Sequence, residues 1–208
     1  MLAVTLIRLR RSVFAAIARI FGFVLVAAAI LGLGFASSWY MVEAGTRLTT
    51  VKIGPWVTWL SAARPDADPY TRAHFANAGT LAVSADVQRT YVAKVDTAGE
   101  RLDSWCDYAL EGRLQRADWW SIVAFNQQGL LVSNPAGRHA FTSQTIALSS
   151  NGSFSITLAR EARAGNWLPT RGLGRLALVL TIVEPRAPDN DKRTDETALP
   201  TIRKLKCR

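Results

Sequence analysis

Twenty consecutive residues without a charge, Ile20 to Trp39 (IFGFVLVAAAILGLGFASSW), constrain this chain more than any other feature. At about 1.5 Å per helical residue the run spans roughly the 30 Å hydrocarbon layer of a bilayer. The apolar region of a cleavable signal peptide is shorter, about 7–15 residues. FASS at 35–38 offers the small residues of a cleavage site, but the length of the run favours an uncleaved anchor. Arg8, Arg10, Arg11 and Arg19 precede Ile20 with no acid among them, and basic residues on a short flank stay cytoplasmic. The expectation is a single-pass protein of the inner membrane, with its amino terminus in the cytoplasm and its carboxyl-terminal domain in the periplasm. Gly32 and Gly34 lack the four-residue spacing of a helix-packing motif and read as tolerated membrane glycines.

The charge distribution follows the same division. Of the formal net charge of +9, residues 1–42 carry a balance of +4 and residues 186–208 one of +3, leaving +2 for 43–185. A nucleic-acid-binding domain places a basic stripe with aromatics in its folded body, so no nucleic-acid partner is expected. A hydrophobic content of 49% excludes a disordered chain. Residues 1–42 are read as basic end and anchor, 43–185 as the exported domain, and 186–208 as a polar linker and basic tail.

Gly54-Pro55, Pro65 and Pro69 punctuate a connector that carries Trp56 and Trp59 on one side. Residues 71–78 and 84–95 are predicted helical, the second because Val87, Tyr91 and Val95 recur at four-residue steps behind Ser84. From Arg101 the period becomes two. RLDSWCDYALEG places Leu102, Cys106, Tyr108 and Leu110 on one face, and WWSIVAFN at 119–126 and LALVLTIV at 176–183 are β-rich runs. Ile146 and Leu148 lead into Asn151-Gly152, after which Phe154, Ile156 and Leu158 alternate with polar residues, predicting a hairpin with a primed turn. The fold class is mainly β, an antiparallel β-sandwich or jelly-roll-like domain with a short helical lead-in behind one transmembrane helix.

Candidate chemistry is sparse. His74 and His139 are the only histidines and neither has a ligand partner at metal-binding spacing, so no metal and no cofactor is implied. Asp103, Asp107 and Glu111 recur at four-residue steps, which in one continuous strand shares a face: a solvated face, or a general acid/base pair. Trp119 and Trp120 must point to opposite faces of their strand, one inward and one outward. An outward tryptophan at Trp120, with Asn134, Arg138, Asn166 and Trp167, is the candidate set for stacking on a sugar or another planar ligand. Trp167, inside GNWLPT, has the rival reading of a plug that caps the sandwich, with Gly165 permitting the turn and Pro169 ending ladder pairing. Two cysteines in an oxidising compartment invite a Cys106–Cys207 bridge; two unrelated thiols are the alternative.

In order, PYTRAHFANAG (69–79), YVAKVDTAGERL (91–102), YALEG (108–112), WWSIVAFNQQG (119–129), NGSFSI and NWLPT resemble the domain of unknown function 1214 family over roughly residues 53–185. The resemblance is to its short, membrane-anchored bacterial branch, where paired cysteines also occur, and it implies the helical lead-in, the β-sandwich and the bridge. The chain departs from the family pattern at Thr181 and Val183, where an arginine and a tyrosine often stand, at Phe125-Asn126 and at Arg171. The family implies no activity. The functional expectation is a non-catalytic envelope module that binds a protein, carbohydrate or lipid partner. An enzyme on envelope carbohydrate or lipid, and a structural subunit of a homo-oligomer, are the alternatives.

Overall fold

A computed structural model of the chain describes residues 2–45, 47–79, 81, 83–114, 117–183 and 199–207. The chain divides into two units, Met1–Gly45 and Thr46–Arg208. The first is one helix, α1 (Leu2–Ala44), of which Ala16–Ala44 is long and apolar enough to cross a membrane. Phe23, Leu33 and Phe35 are each more than 70% exposed on it, so it has no polar face to turn towards water. Ser37 Oγ donates to the Gly34 carbonyl at 3.0 Å, satisfying a hydroxyl within the helix itself. Gly45, at φ +67°, ends α1 with its N–H on the Met41 carbonyl.

The second unit runs β1 (Thr50–Ile53), β2 (Trp56–Trp59), α2 (Pro69–Asn77), β3 (Gln88–Ala93), β4 (Cys106–Gly112), β5 (Trp119–Asn126), β6 (Ala140–Thr142), β7 (Phe154–Ala159), β8 (Asn166–Pro169), β9 (Leu176–Val183) and β10 (Thr201–Cys207). One sheet has the order β1-β2-β3-β9-β5-β6 and the other β10-β4-β7-β8. Pairing is antiparallel except between β7 and β8. Trp56, Tyr91, Ile122 and Leu180 of the first sheet and Tyr108, Leu110, Ile156 and Ile202 of the second belong to one buried core, as in a β-sandwich. The mainly β fold with a helical lead-in is therefore the observed one.

β9 shows how the pattern becomes structure. Leu176, Leu178, Leu180 and Ile182 are buried, while the residues between them are half-buried. Its ladder runs to β3 on one side and β5 on the other, which makes it central. β1 and β2 are joined by the two residues Gly54-Pro55, and φ +56° at Gly54 suits the first position of a type II′ turn.

Four expectations are corrected. Residues 84–95 are not a helix: a turn at Ser84–Val87 leads into β3, where Tyr91 is buried and Val87 exposed. Four-residue spacing is a multiple of two, so the stripe at 87, 91 and 95 could not separate strand from helix, and the long-range ladder with β9 decided it. Ile146 and Leu148 form no strand. The Asn151-Gly152 turn closes locally through Ser149 N–H on the Ser153 carbonyl, but β7 pairs with β4 and β8 instead. Trp56 and Trp59, in a strand, point to opposite faces. The basic tail is an ordered strand from Thr201, whereas the linker expected at 186–198 lies outside the described residues.

β10 is clamped along its length. Fully buried Trp56 donates its indole N–H to the Pro200 carbonyl at 2.6 Å. Thr97 and Ile202 exchange two hydrogen bonds. Gly112 is required because a Cβ there would sit 2.9 Å from the Pro200 ring. At the far end Cys207 lies opposite Cys106 in register and the two, 101 positions apart in sequence, form a disulfide.

Ahead of the sandwich, Asp68 caps α2 by accepting from the Tyr70 and Thr71 amides, each at 3.0 Å, and from the Thr71 hydroxyl. Burial pushes its carboxyl up, but the Thr71 and Tyr70 hydrogen bonds outweigh that and hold it below the ordinary 3.8. A lowered pKa contributes stability above the ordinary value, which is lost as pH falls through the folded one. Asp68→Ala is expected to cost about 1 kcal/mol at neutral pH and to remove part of the stability loss below about pH 4 in acid-denaturation curves. Reducing Cys106–Cys207 is expected to lower the denaturant midpoint by an amount corresponding to about 4 kcal/mol. Cys106→Ser with Cys207→Ser should behave like the reduced protein.

Candidate functional site

Of the three carboxylates spaced by four, Asp107 and Glu111 share the outer face of β4, and Asp103 lies outside the strand. Asp103 precedes a turn rather than lying in β4: its Oδ1 accepts the Trp105 N–H at 3.0 Å, and its own N–H donates to the Tyr108 hydroxyl. Asp107, 4% exposed, accepts from Arg163 Nη2 at 2.8 Å. Glu111 is exposed and lies 3.4 Å from Arg203 Nη2. The turn at Ser104-Trp105 breaks the strand register that the spacing presumed. Arg163, the partner that neutralises Asp107, gave no signal in the sequence, because it lies 56 residues away in a loop.

The aromatic and amide candidates separate into two groups. Trp120 is the inward member of its pair, 4% exposed and stacked on Phe154 with ring centroids 4.8 Å apart. The outward, half-buried one is Trp119. Asn166 bridges loop and strand: its Oδ1 accepts the Ala147 N–H, and its Nδ2 donates to the Ala147 and Ser155 carbonyls. Asn134, Arg138 and Trp167 form the second group. Asn134 bonds the Arg138 main chain, and Arg138 Nη1 donates to the Trp167 carbonyl at 3.1 Å while lying over the Phe141 ring. Trp167 does not cap an end of the sandwich. It lies opposite Thr157 on the outer face of the second sheet, half-buried, with its indole N–H on the Ala159 carbonyl at 2.9 Å. Both histidines have structural neighbours: His74 stacks on Trp59 at 4.2 Å, and His139 Nδ1 is 3.4 Å from Asn134 Nδ2.

What the fold does assemble is a cleft of about 510 Å³ at the end of the second sheet. Register sets Thr201, Glu111 and Ser155 side by side across β10, β4 and β7. The Ser149–Ser153 turn adds two hydroxyls, and Arg113 and Phe154 complete the lining. Trp120 stacks on Phe154 in the core and Asn166 holds the Ser155 carbonyl, so two residues expected to bind contact lining residues of the cleft without lining it themselves. The hydroxyl set was legible only as part of SSNGSFS, where the serines read as turn and solvent-face residues.

Tyr108 is fully buried behind the second sheet, and burial raises its hydroxyl above the ordinary 10.0. A raised pKa means stability that is complete below pH 10 and lost as pH rises through the folded value. Tyr108→Phe should therefore flatten the alkaline limb of the stability curve. Asp107→Asn is expected to cost about 2 kcal/mol by leaving the half-buried Arg163 without its charge partner, whereas Glu111→Gln should change stability by about 0.5 kcal/mol or less. Trp167→Ala should cost about 2 kcal/mol, below the range for a fully buried ring. Chemical denaturation of the four variants checks all of these values.

Comparison with known proteins gives a family and a fold. Residues 87–187 match the family described as Protein of unknown function (DUF1214), so the match begins later than the resemblance read from residue 53. The VPA0106 protein from Vibrio parahaemolyticus, a crystal structure, aligns at 20% identity and a TM-score of 0.55 over 68% of this chain and 36% of that one. An uncharacterized protein from Burkholderia cenocepacia aligns at 17% identity and a TM-score of 0.47 over 86% of this chain and 42% of that one. This chain thus spans less than half the length of either. No curated protein matches it. The stretch from β3 through β9, residues 87–187, belongs to the DUF1214 family.

Proposed function

We propose that this chain is a non-catalytic binding module of the bacterial envelope, held in the inner membrane by α1, with its β-sandwich on the periplasmic side. Three features support the placement. Four arginines lie ahead of the apolar run with no acid among them. The helix is long enough to cross a bilayer. The Cys106–Cys207 bridge is chemistry of an oxidising compartment.

The observation that carries the binding reading is the cleft lined by Ser149, Ser153, Ser155 and Thr201, with Glu111 and Arg113 at its sides. Convergent hydroxyls with one acceptor carboxylate and one guanidinium suit a polyhydroxylated ligand, a carbohydrate, which presents both donors and acceptors at short spacing. Asp103 and Asp107 are engaged elsewhere, which weighs against paired-carboxylate catalysis. Glu111 in the cleft is what the enzyme reading rests on.

A panel of neutral and amino-sugar oligosaccharides, presented to the full chain in detergent, tests the proposal. Retention of one saccharide class is expected, weakened at least tenfold in Ser153→Trp, which fills the cleft. Retention of no saccharide, or undiminished binding by Ser153→Trp, overturns it. Turnover of the retained saccharide that Glu111→Gln abolishes replaces it with the enzyme reading.

A further inference from the structure

The end of the sandwich opposite the cleft gathers exposed apolar and cationic side chains. β4 begins there at Cys106, β7 ends at Ala159, β10 ends at Cys207, and β9 begins at Leu176 beside Asn126 of β5. Backbone hydrogen bonds tie the loops of that end together. Ser104 N–H donates to the Gly174 carbonyl, Leu176 N–H to the Leu102 carbonyl, and Asn126 N–H to the Leu130 carbonyl. Gly172 faces the Val132 side chain, so the loop after β5 and the loop before β9 are neighbours.

On these loops Trp105, Leu130 and Leu131 are each more than half exposed. The Arg160 guanidinium lies over the Trp105 ring, 4.3 Å from its centroid. Arg175 is exposed where the chain bridges to Asp103, and Lys206 is exposed beside Asp107. The carboxylates of this end are engaged: Asp107 with Arg163, Glu161 with Arg171, Glu100 with Lys204, and Asp103 with the Trp105 N–H. Among the described residues Arg160, Arg175 and Lys206 have no carboxylate at ion-pair distance. The surface is therefore cationic and apolar at once. A soluble polyanion would meet the cations and leave Leu130 and Leu131 in water. A lipid surface takes both, with phosphates against the guanidiniums, acyl chains against the leucines and the indole at the boundary.

We propose that this end of the sandwich docks on the anionic lipid surface of the membrane that holds α1. Only residues 45–49 separate α1 from β1, and a domain tethered to a bilayer meets its surface at a raised effective concentration, so a few side chains suffice. A Lys or Arg beside an anionic surface favours docking by about fivefold, and three by roughly a hundredfold. Docking by this end turns the cleft at the other end away from the bilayer, where a partner reaches it. The proposal rests on the membrane anchor and is independent of what the cleft binds.

The test uses the full chain in vesicles of phosphatidylcholine alone and of phosphatidylcholine with phosphatidylglycerol, both carrying a nitroxide-labelled lipid. A fluorophore on Gln128→Cys, exposed on the Leu130 loop, should be quenched about fivefold or more strongly in the anionic vesicles. Salt at about 1 M should remove the difference. A fluorophore on Ser150→Cys, exposed at the cleft end, should be quenched equally in both. Arg160→Gln, Arg175→Gln and Lys206→Gln together should return the Gln128→Cys signal to its level in neutral vesicles, with the Cys106–Cys207 bridge intact. Equal quenching at Gln128→Cys in both vesicles, the outcome if this end meets a soluble polyanion or a protein, overturns the proposal, as does quenching that the triple variant leaves unchanged. Release of the chain from the vesicles by alkaline carbonate, which a membrane-spanning helix resists, removes the anchor reading as well, so the two failures are told apart.

Discussion

The hydrogen bond from the Trp56 indole to the Pro200 carbonyl joins the first hairpin of the sandwich to the last strand of the chain. A carbonyl buried at that depth without a donor would cost about 1–3 kcal/mol, so Trp56 fixes where Pro200 sits. Pro200 in turn lies against Gly112, in space that any side chain would occupy. From that point β10 runs along β4, and its end places Cys207 beside Cys106. The second sheet, the disulfide and the cleft wall at Thr201 all depend on one seat at the boundary between the two sheets.

The two sheets use their outer faces differently. The second covers its own with Trp167 and with Arg163 over Asp107, leaving Asp107 and Ala109 buried although they point away from the core. Beyond that cover, where β4, β7 and β10 run out, hydroxyls gather around Glu111. On the first sheet α2 lies beside Trp59, and the valine row that crosses β6, β5, β9, β3 and β2 ends beside exposed Lys52 of β1.

Much of this was legible in the chain. β5 and β9 could be read to the residue and the anchor as the centre of a longer helix, because each is a long run with one dominant pattern. The bridge followed from two cysteines and a compartment. What escaped reading was whatever depends on a distant partner. β3 has a spacing that serves helix or strand, and its ladder to β9 settles it. Asp103 and Asp107 were separated by a two-residue turn whose neighbours favour strand. The cleft is made by register between strands some 40 and 90 residues apart, and pairing of that kind leaves no local mark.

The pairing of β10 with β4 also sets an order of events. A chain is made from its amino terminus, so α1 and β4 exist long before Thr201–Cys207. Until those residues arrive, β4 presents an open edge, Cys106 is a thiol without its partner, and Trp56 has no carbonyl to meet. Contacts this far apart in sequence form slowly and late. The domain can close only once Thr201–Cys207 has been made, and a chain stopped before it would expose the edge that a neighbouring strand could take.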